Sequence, residues 1–139
     1  MNKYLSGLVL TLTFAASSAF ADVDAGKSMI CSLGDFSECT AKGCESVTAS
    51  DIAAPRLLRV NSKKKTVEAI SGGQGRVSKL DNVETINSKL IMQGAEDGGE
   101  SGRNGLGYTL TVNTTSGGLV FAGATDNAVF AAFGACVND

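Results

Sequence analysis

The 139-residue chain contains no histidine. That absence removes the Ser-His-Asp and Cys-His constellations of nucleophilic catalysis, together with the common histidine-containing zinc sites. Proline is nearly as scarce, with Pro55 the single example. No stretch reaches the roughly 20 apolar residues a membrane-crossing helix needs, so no membrane span is expected. No segment repeats at a solenoid period, and the 17 glycines lie scattered in turn-like clusters, which excludes collagen-like and low-complexity chains.

The first residues carry an address. Met1-Asn-Lys3 supplies one positive charge, Leu5 to Phe14 is uncharged, and Ala19-Phe20-Ala21 ends the segment with small residues around one aromatic. A basic start, a short apolar run and an A-x-A site predict a secretory signal peptide, residues 1–21, cleaved after Ala21. With no cysteine at that site, a lipid anchor is not expected. Removing 21 residues leaves a single domain, 22–139, with 11 basic residues (Lys3 is lost) against 14 acidic ones, a net charge of −3. Domains that bind phosphate backbones are usually strongly basic, so nucleic acid is not an expected partner. The predicted location is periplasmic or secreted.

All four cysteines, Cys31, Cys39, Cys44 and Cys136, follow the cleavage site. An even count in an exported chain predicts two disulfides, for which three pairings are open. The favoured pairing closes a short loop with Cys39–Cys44 and ties the first strand to the last with Cys31–Cys136. The Cys39-x4-Cys44 spacing also suits a metal, but export favours oxidation and histidine is absent. No metal and no cofactor are expected.

The clearest structural signal is the segment from Gly107 to Cys136. Tyr108, Leu110 and Val112 alternate with Gly107, Thr109 and Thr111, the period of two of a pleated strand. Asn113 to Gly117 breaks the pattern with turn-forming residues, Leu119-Val-Phe121 resumes it, Thr125-Asp-Asn127 turns again, and Ala128 to Cys136 returns. This is an antiparallel meander. Upstream, Asp22 to Lys27 reads as a loose polar leader, Ser28 to Cys31 as the first strand, and Leu33 to Glu45 as a stapled, irregular loop. Ser46 to Ala49 reads as a short strand, and Ser50 to Ala54 as one helical turn capped by Ser50 and stopped by Pro55. Arg56 to Val60 and Thr66 to Ile70 form a hairpin. Val77, Leu80, Val83 and Ile86 recur every third residue, which fits neither strand nor ideal helix, and Asp81-Asn82 divides the segment into two short strands. Lys89 to Ala95 is a further strand, and Glu96 to Gly105 a charged, glycine-rich loop. The predicted fold class is all-β: a disulfide-stapled antiparallel up-and-down barrel or sandwich of about eight strands.

Three features are candidates for function. Arg56, Arg59, Lys63, Lys64 and Lys65 place five positive charges within ten residues, either a patch for an anionic envelope partner or charge that protects an edge strand. The loop candidates are Glu96, Asp97, Glu100, Ser101, Arg103 and Tyr108. Its acids lack the Asp-x-Asp-x-Asp-Gly order of a calcium loop. Gly72-Gly73-x-Gly75 has no following lysine and Ser/Thr pair, so it is a turn rather than a phosphate loop. Phe121, Phe130 and Phe133 are read as core beside Tyr108; alternatively they line a barrel in which Ala122, Gly123, Ala131, Ala132 and Gly134 leave room for an apolar ligand.

The order Cys31…Glu38-Cys39…Gly43-Cys44, Leu57-Leu-Arg-Val60, Lys65-Thr-Val67, Leu90-Ile-Met-Gln-Gly94 and Phe133-Gly-Ala-Cys136 resembles a group of small exported, cysteine-bracketed bacterial β proteins. That resemblance implies a fold and a compartment, and no activity. The architecture also resembles the periplasmic inhibitors of c-type lysozyme, eight-stranded barrels that insert a Ser-Gly-x-x-Tyr loop into the enzyme's cleft. Here Ser101-Gly-Arg-Asn104 is followed by Gly105, and the tyrosine comes only at Tyr108, so the motif is not met. The expected function is non-catalytic binding of an envelope protein or a small apolar ligand. A lysozyme-inhibitor-like protein and a carboxylate-dependent hydrolase are the alternatives.

Overall fold

Alternation of large inward and small or polar outward residues carries most of the chain into strands. The computed structural model describes residues 22–71, 75–96 and 105–139. Among these there are nine strands and no helix: β1 (Ser28–Thr40), β2 (Gly43–Val47), β3 (Leu57–Asn61), β4 (Thr66–Ser71), β5 (Val77–Ile86), β6 (Lys89–Glu96), β7 (Leu106–Asn113), β8 (Gly118–Ala124) and β9 (Ala128–Asn138). β1 and β3 to β9 close an eight-stranded antiparallel up-and-down barrel, and β2 adds a strand outside it. Closure runs from Met29 opposite Asn138 to Thr40 opposite Ala128. It removes the free edges an open sheet would present, except at the short outer strand β2.

Both disulfides form as expected. Cys31 and Cys136 face each other across the closing seam, buried inside the barrel. Cys39 and Cys44 face each other across the β1–β2 hairpin. That second pair shows why the segment from Leu33 to Glu45 is no irregular loop: two cysteines in direct register need two paired strands, and β1 runs unbroken to Thr40.

Two bulges explain the remaining departures. In β5 the register shifts between Leu80 and Asn82, so one extra residue lets Leu80 and Val83 both face inward. The period-three pattern is therefore one bulged strand, not two short ones. In β1 a shift between Gly34 and Ser37, with Asp35 at φ 48°, likewise turns both Leu33 and Phe36 inward. The segment from Ser50 to Ala54 makes turns instead of a helical turn, because Ala53 takes a positive φ of 49°. Its end is tied by the Ala54 N–H donating to the Ala49 carbonyl at 2.8 Å. A two-residue hairpin joins β5 to β6, with Asn87 and Ser88 both at positive φ (47° and 60°), as its twist demands.

The turns β3–β4, β5–β6 and β7–β8 lie at one end, called the floor here. The leader is not loose: it crosses this floor. Val23 is buried there, its N–H donating to the Thr114 carbonyl at 2.7 Å. The Asn138 side chain accepts from the Asp24 N–H at 2.9 Å and donates to the Asp22 carbonyl at 3.1 Å. The Ser62 hydroxyl donates to the Ala25 carbonyl. Polar residues make a leader soluble, but one apolar side chain over an open barrel end is enough to pin it. Above it, Met29, Val60, Leu90, Met92, Leu110 and Val112 fill the interior, each at most 1% exposed.

Candidate functional site

The other end of the barrel is open, and the sequence says why. Where the floor half is packed with Met, Leu and Val, the inward positions toward the opposite rim include Ala69 on β4, Ser78 on β5, Gly94 on β6, Gly123 on β8 and Ala128 on β9. Of these, Ala69, Ser78 and Ala128 line a cavity of about 450 Å³, within the 300–1,000 Å³ usual for small-ligand sites, while Gly94 and Gly123 make room for the Tyr108 and Phe121 rings. Leu33, Phe36, Leu58, Val67, Leu110, Phe121 and Phe130 form its apolar wall, and Ile52 to Pro55, from the β2–β3 connection, overhang it. The overhang is anchored by Asp51, whose carboxylate accepts from the Thr48 N–H (2.9 Å) and hydroxyl (2.7 Å). Those hydrogen bonds hold the Asp51 carboxyl below the usual carboxylate range.

One edge of the cavity is polar. Glu96, at the rim end of β6, accepts from the Ser78 hydroxyl at 3.0 Å, and Arg76 approaches its other oxygen at 3.9 Å. Tyr108 sits beside them, stacked on Phe121 at 6.2 Å between ring centroids. It is only 8% exposed. Glycines on both neighbouring strands, Gly94 and Gly123, pair with it in register. At Gly94 the need is steric, since a Cβ would lie 2.8 Å from the Tyr108 hydroxyl and 2.7 Å from the Lys79 carbonyl. Among the described residues that buried hydroxyl has no hydrogen-bond partner. Burial raises its pKa above 10.0 and the Glu96 and Asp81 charges add to the rise; Ser78 is near enough to oppose it, but directs its own hydroxyl to Glu96.

Of the loop candidates, Glu96 and Tyr108 meet at this cavity. Asp97, Glu100, Ser101 and Arg103 lie outside the described residues, as do residues 1–21 with the predicted signal peptide and Gly72 and Gly73. The basic candidates spread along β3. Arg56 precedes its rim end, while Lys63, Lys64 and Lys65 are exposed in the turn at the floor end. Between them Arg59 is paired with Asp139 at 2.9 Å and Glu68 at 3.1 Å, which raise its pKa in that order. Phe121 and Phe130 line the cavity, but Phe133 does not join them: it is 55% exposed. Phe133 follows Phe130 by three positions, an odd spacing that a period of two sends to opposite faces. The same parity puts Gly123 and Ala132 inward and Ala122 and Ala131 outward.

Sequence reasoning missed Phe36, Ser78, Arg76 and the overhang. The β1 bulge hid Phe36, and the misdivided β5 hid Ser78. Among the described residues no group of three or more Cys, Asp or Glu side chains is placed to hold a metal ion, and no helix is long and apolar enough to cross a membrane. No family model matches the chain, and no curated protein or solved structure matches it.

Proposed function

We propose that the protein is an exported, non-catalytic binding protein that holds a small, largely apolar ligand in the open half of its barrel. The observation that carries this reading is the division of the interior. One half is packed to exclude water, and the other is a cavity of about 450 Å³ walled by Leu33, Phe36, Phe121 and Phe130. An apolar guest gains by leaving water for such a wall, and the polar edge at Ser78, Glu96 and Tyr108 orients whatever hydrogen-bonding group it carries. Two disulfides and a signal-like N-terminus support a periplasmic or secreted setting, as in the exported β proteins the sequence resembles.

The test is titration with N-phenyl-1-naphthylamine, an uncharged fluorophore that brightens in apolar surroundings. Saturable binding of one probe per chain is expected. Ala69→Phe, which fills the cavity from β4, should abolish it while far-UV circular dichroism and the melting temperature show that the barrel still folds. Failure to saturate in the wild type, or undiminished binding in the folded variant, removes the cavity as the site.

A further inference from the structure

We infer that the guest of the open half of the barrel is an uncharged apolar alcohol, whose hydroxyl bridges Tyr108 and Glu96. This rests on the binding reading above and names the chemistry that the polar edge of the cavity selects. Tyr108 takes an inward position on β7, is 8% exposed and lines the cavity. Among the described residues its hydroxyl has no hydrogen-bond partner. Burial and the nearby Glu96 charge hold that hydroxyl protonated, so it is a donor at neutral pH. A buried donor left unpaired is costly, so a guest that brings the missing acceptor gains more than it would from a group already bonded.

Glu96 supplies the complementary capacity. It ends β6, and its carboxylate accepts from the Ser78 hydroxyl at 3.0 Å, with the Arg76 guanidinium 3.9 Å from its other oxygen. A carboxylate has about four acceptor sites, so some remain for a donor inside the cavity. Ser78 neighbours both groups: it is bonded to Glu96 and close enough to Tyr108 to counter part of the rise in its pKa. A single ligand oxygen beside Ser78 can therefore accept from Tyr108 and donate to Glu96.

Charge excludes the other common heads of apolar ligands. The charged side chains lining the cavity, among the described residues, are Glu38, Asp51, Glu96 and Arg76, with a net charge of −2. A carboxylate or phosphate head would shed water to enter a field of its own sign. An ammonium head suits the sign but carries donors only, so it leaves the Tyr108 proton unmet. Its nearest counter-charge, Glu96, already has Arg76 beside it. An ether accepts from Tyr108 and offers Glu96 nothing. A hydroxyl meets both needs with the least polar surface to bury, and the Leu33, Phe36, Phe121 and Phe130 wall takes the hydrocarbon.

Displacement of N-phenyl-1-naphthylamine by ten-carbon competitors, on the purified protein at neutral pH, tests the inference. 1-Decanol should compete with a Kd roughly tenfold or more below those of decanoate and decylamine. 1-Methoxydecane, which cannot donate to Glu96, should bind roughly fivefold more weakly than the alcohol. Tyr108→Phe should weaken 1-decanol by a similar factor and leave the affinity of the fluorophore unchanged, which separates a lost hydrogen bond from a damaged cavity. Decanoate or decylamine competing as well as 1-decanol overturns the inference, as does an ether equal to the alcohol or a folded Tyr108→Phe protein with undiminished 1-decanol affinity. In each of those cases the fluorophore still binds and the cavity reading stands. A wild type that never binds the fluorophore removes both.

Discussion

Replacing both Cys31 and Cys136 with alanine should cost the protein more than any other pair of cysteine changes, and the size of the loss follows from topology. The two residues are 105 apart in sequence and directly opposite on the strands that close the barrel. In the chain-entropy treatment, a cross-link over a loop of about 100 residues removes about 4.7 kcal/mol of freedom from the unfolded chain. Cys39–Cys44, five residues apart across the β1–β2 hairpin, removes only about 2 kcal/mol by the same relation. For a domain of this length the unfolding entropy is roughly 0.25 kcal/mol per degree, so the two losses become falls of about 19 °C and about 8 °C in melting temperature. Alanine is the better replacement, because serine would leave a hydroxyl at a site no more than 1% exposed. Thermal unfolding followed by circular dichroism, without reductant, reads both variants. If removing Cys39–Cys44 costs as much as removing Cys31–Cys136, or the latter melts within a few degrees of wild type, the seam is not what the disulfide stabilises and the reasoning fails.

Two further predictions concern backbone and burial. Gly134 lies on β9 opposite Leu33 of β1, and a Cβ there would collide with the Ser32 carbonyl, so Gly134→Ala should lose about 3 kcal/mol or more in urea unfolding. Gly107→Ala, with nothing within 4 Å of the added carbon, should stay within about 0.5 kcal/mol of wild type and serve as the control. Tyr108→Phe removes a buried hydroxyl that has no partner among the described residues, so it should be neutral or stabilising by up to about 1–2 kcal/mol; a loss of that size would show that the hydroxyl is bonded. Because burial raises this pKa in the folded state, wild-type stability is retained below pH 10.0 and falls as the pH climbs above it. Tyr108→Phe should show less of that fall.

Much of the fold was legible because side-chain alternation and cysteine position are local records of a global arrangement. Tyr108, Leu110 and Val112 announce a strand by themselves, and a cysteine at each end of an all-β chain announces closure. Bulges hide from such reading, because a single inserted residue reverses parity without leaving a composition signal. Asp81 is one such residue, and it turned a continuous strand into an unreadable period of three. The leader was misread for a different reason. Its polar residues describe its solubility, whereas its position is set by one side chain, Val23, and by hydrogen-bond partners more than 90 residues away.

The cavity was half legible, and the missing half is instructive. Phe121, Phe130 and the small residues around them sit on neighbouring strands that are also neighbours in sequence, so their meeting is visible in one segment. Ala69, Ser78 and Leu33 reach the same space from strands whose adjacency is fixed only by closure. No local pattern says that a small residue on β4 shares a cavity with a small residue on β9. A barrel keeps its interior full only while inward volumes sum to the space its strands enclose, and that condition belongs to all eight strands at once. Here the floor half meets it with methionine and leucine, and the rim half fails it with alanine and serine. Since eight strands fix the width along the whole barrel, larger side chains at Ala69, Ser78 and Ala128 are what would close the site, and the packed floor half would carry the fold through such a change.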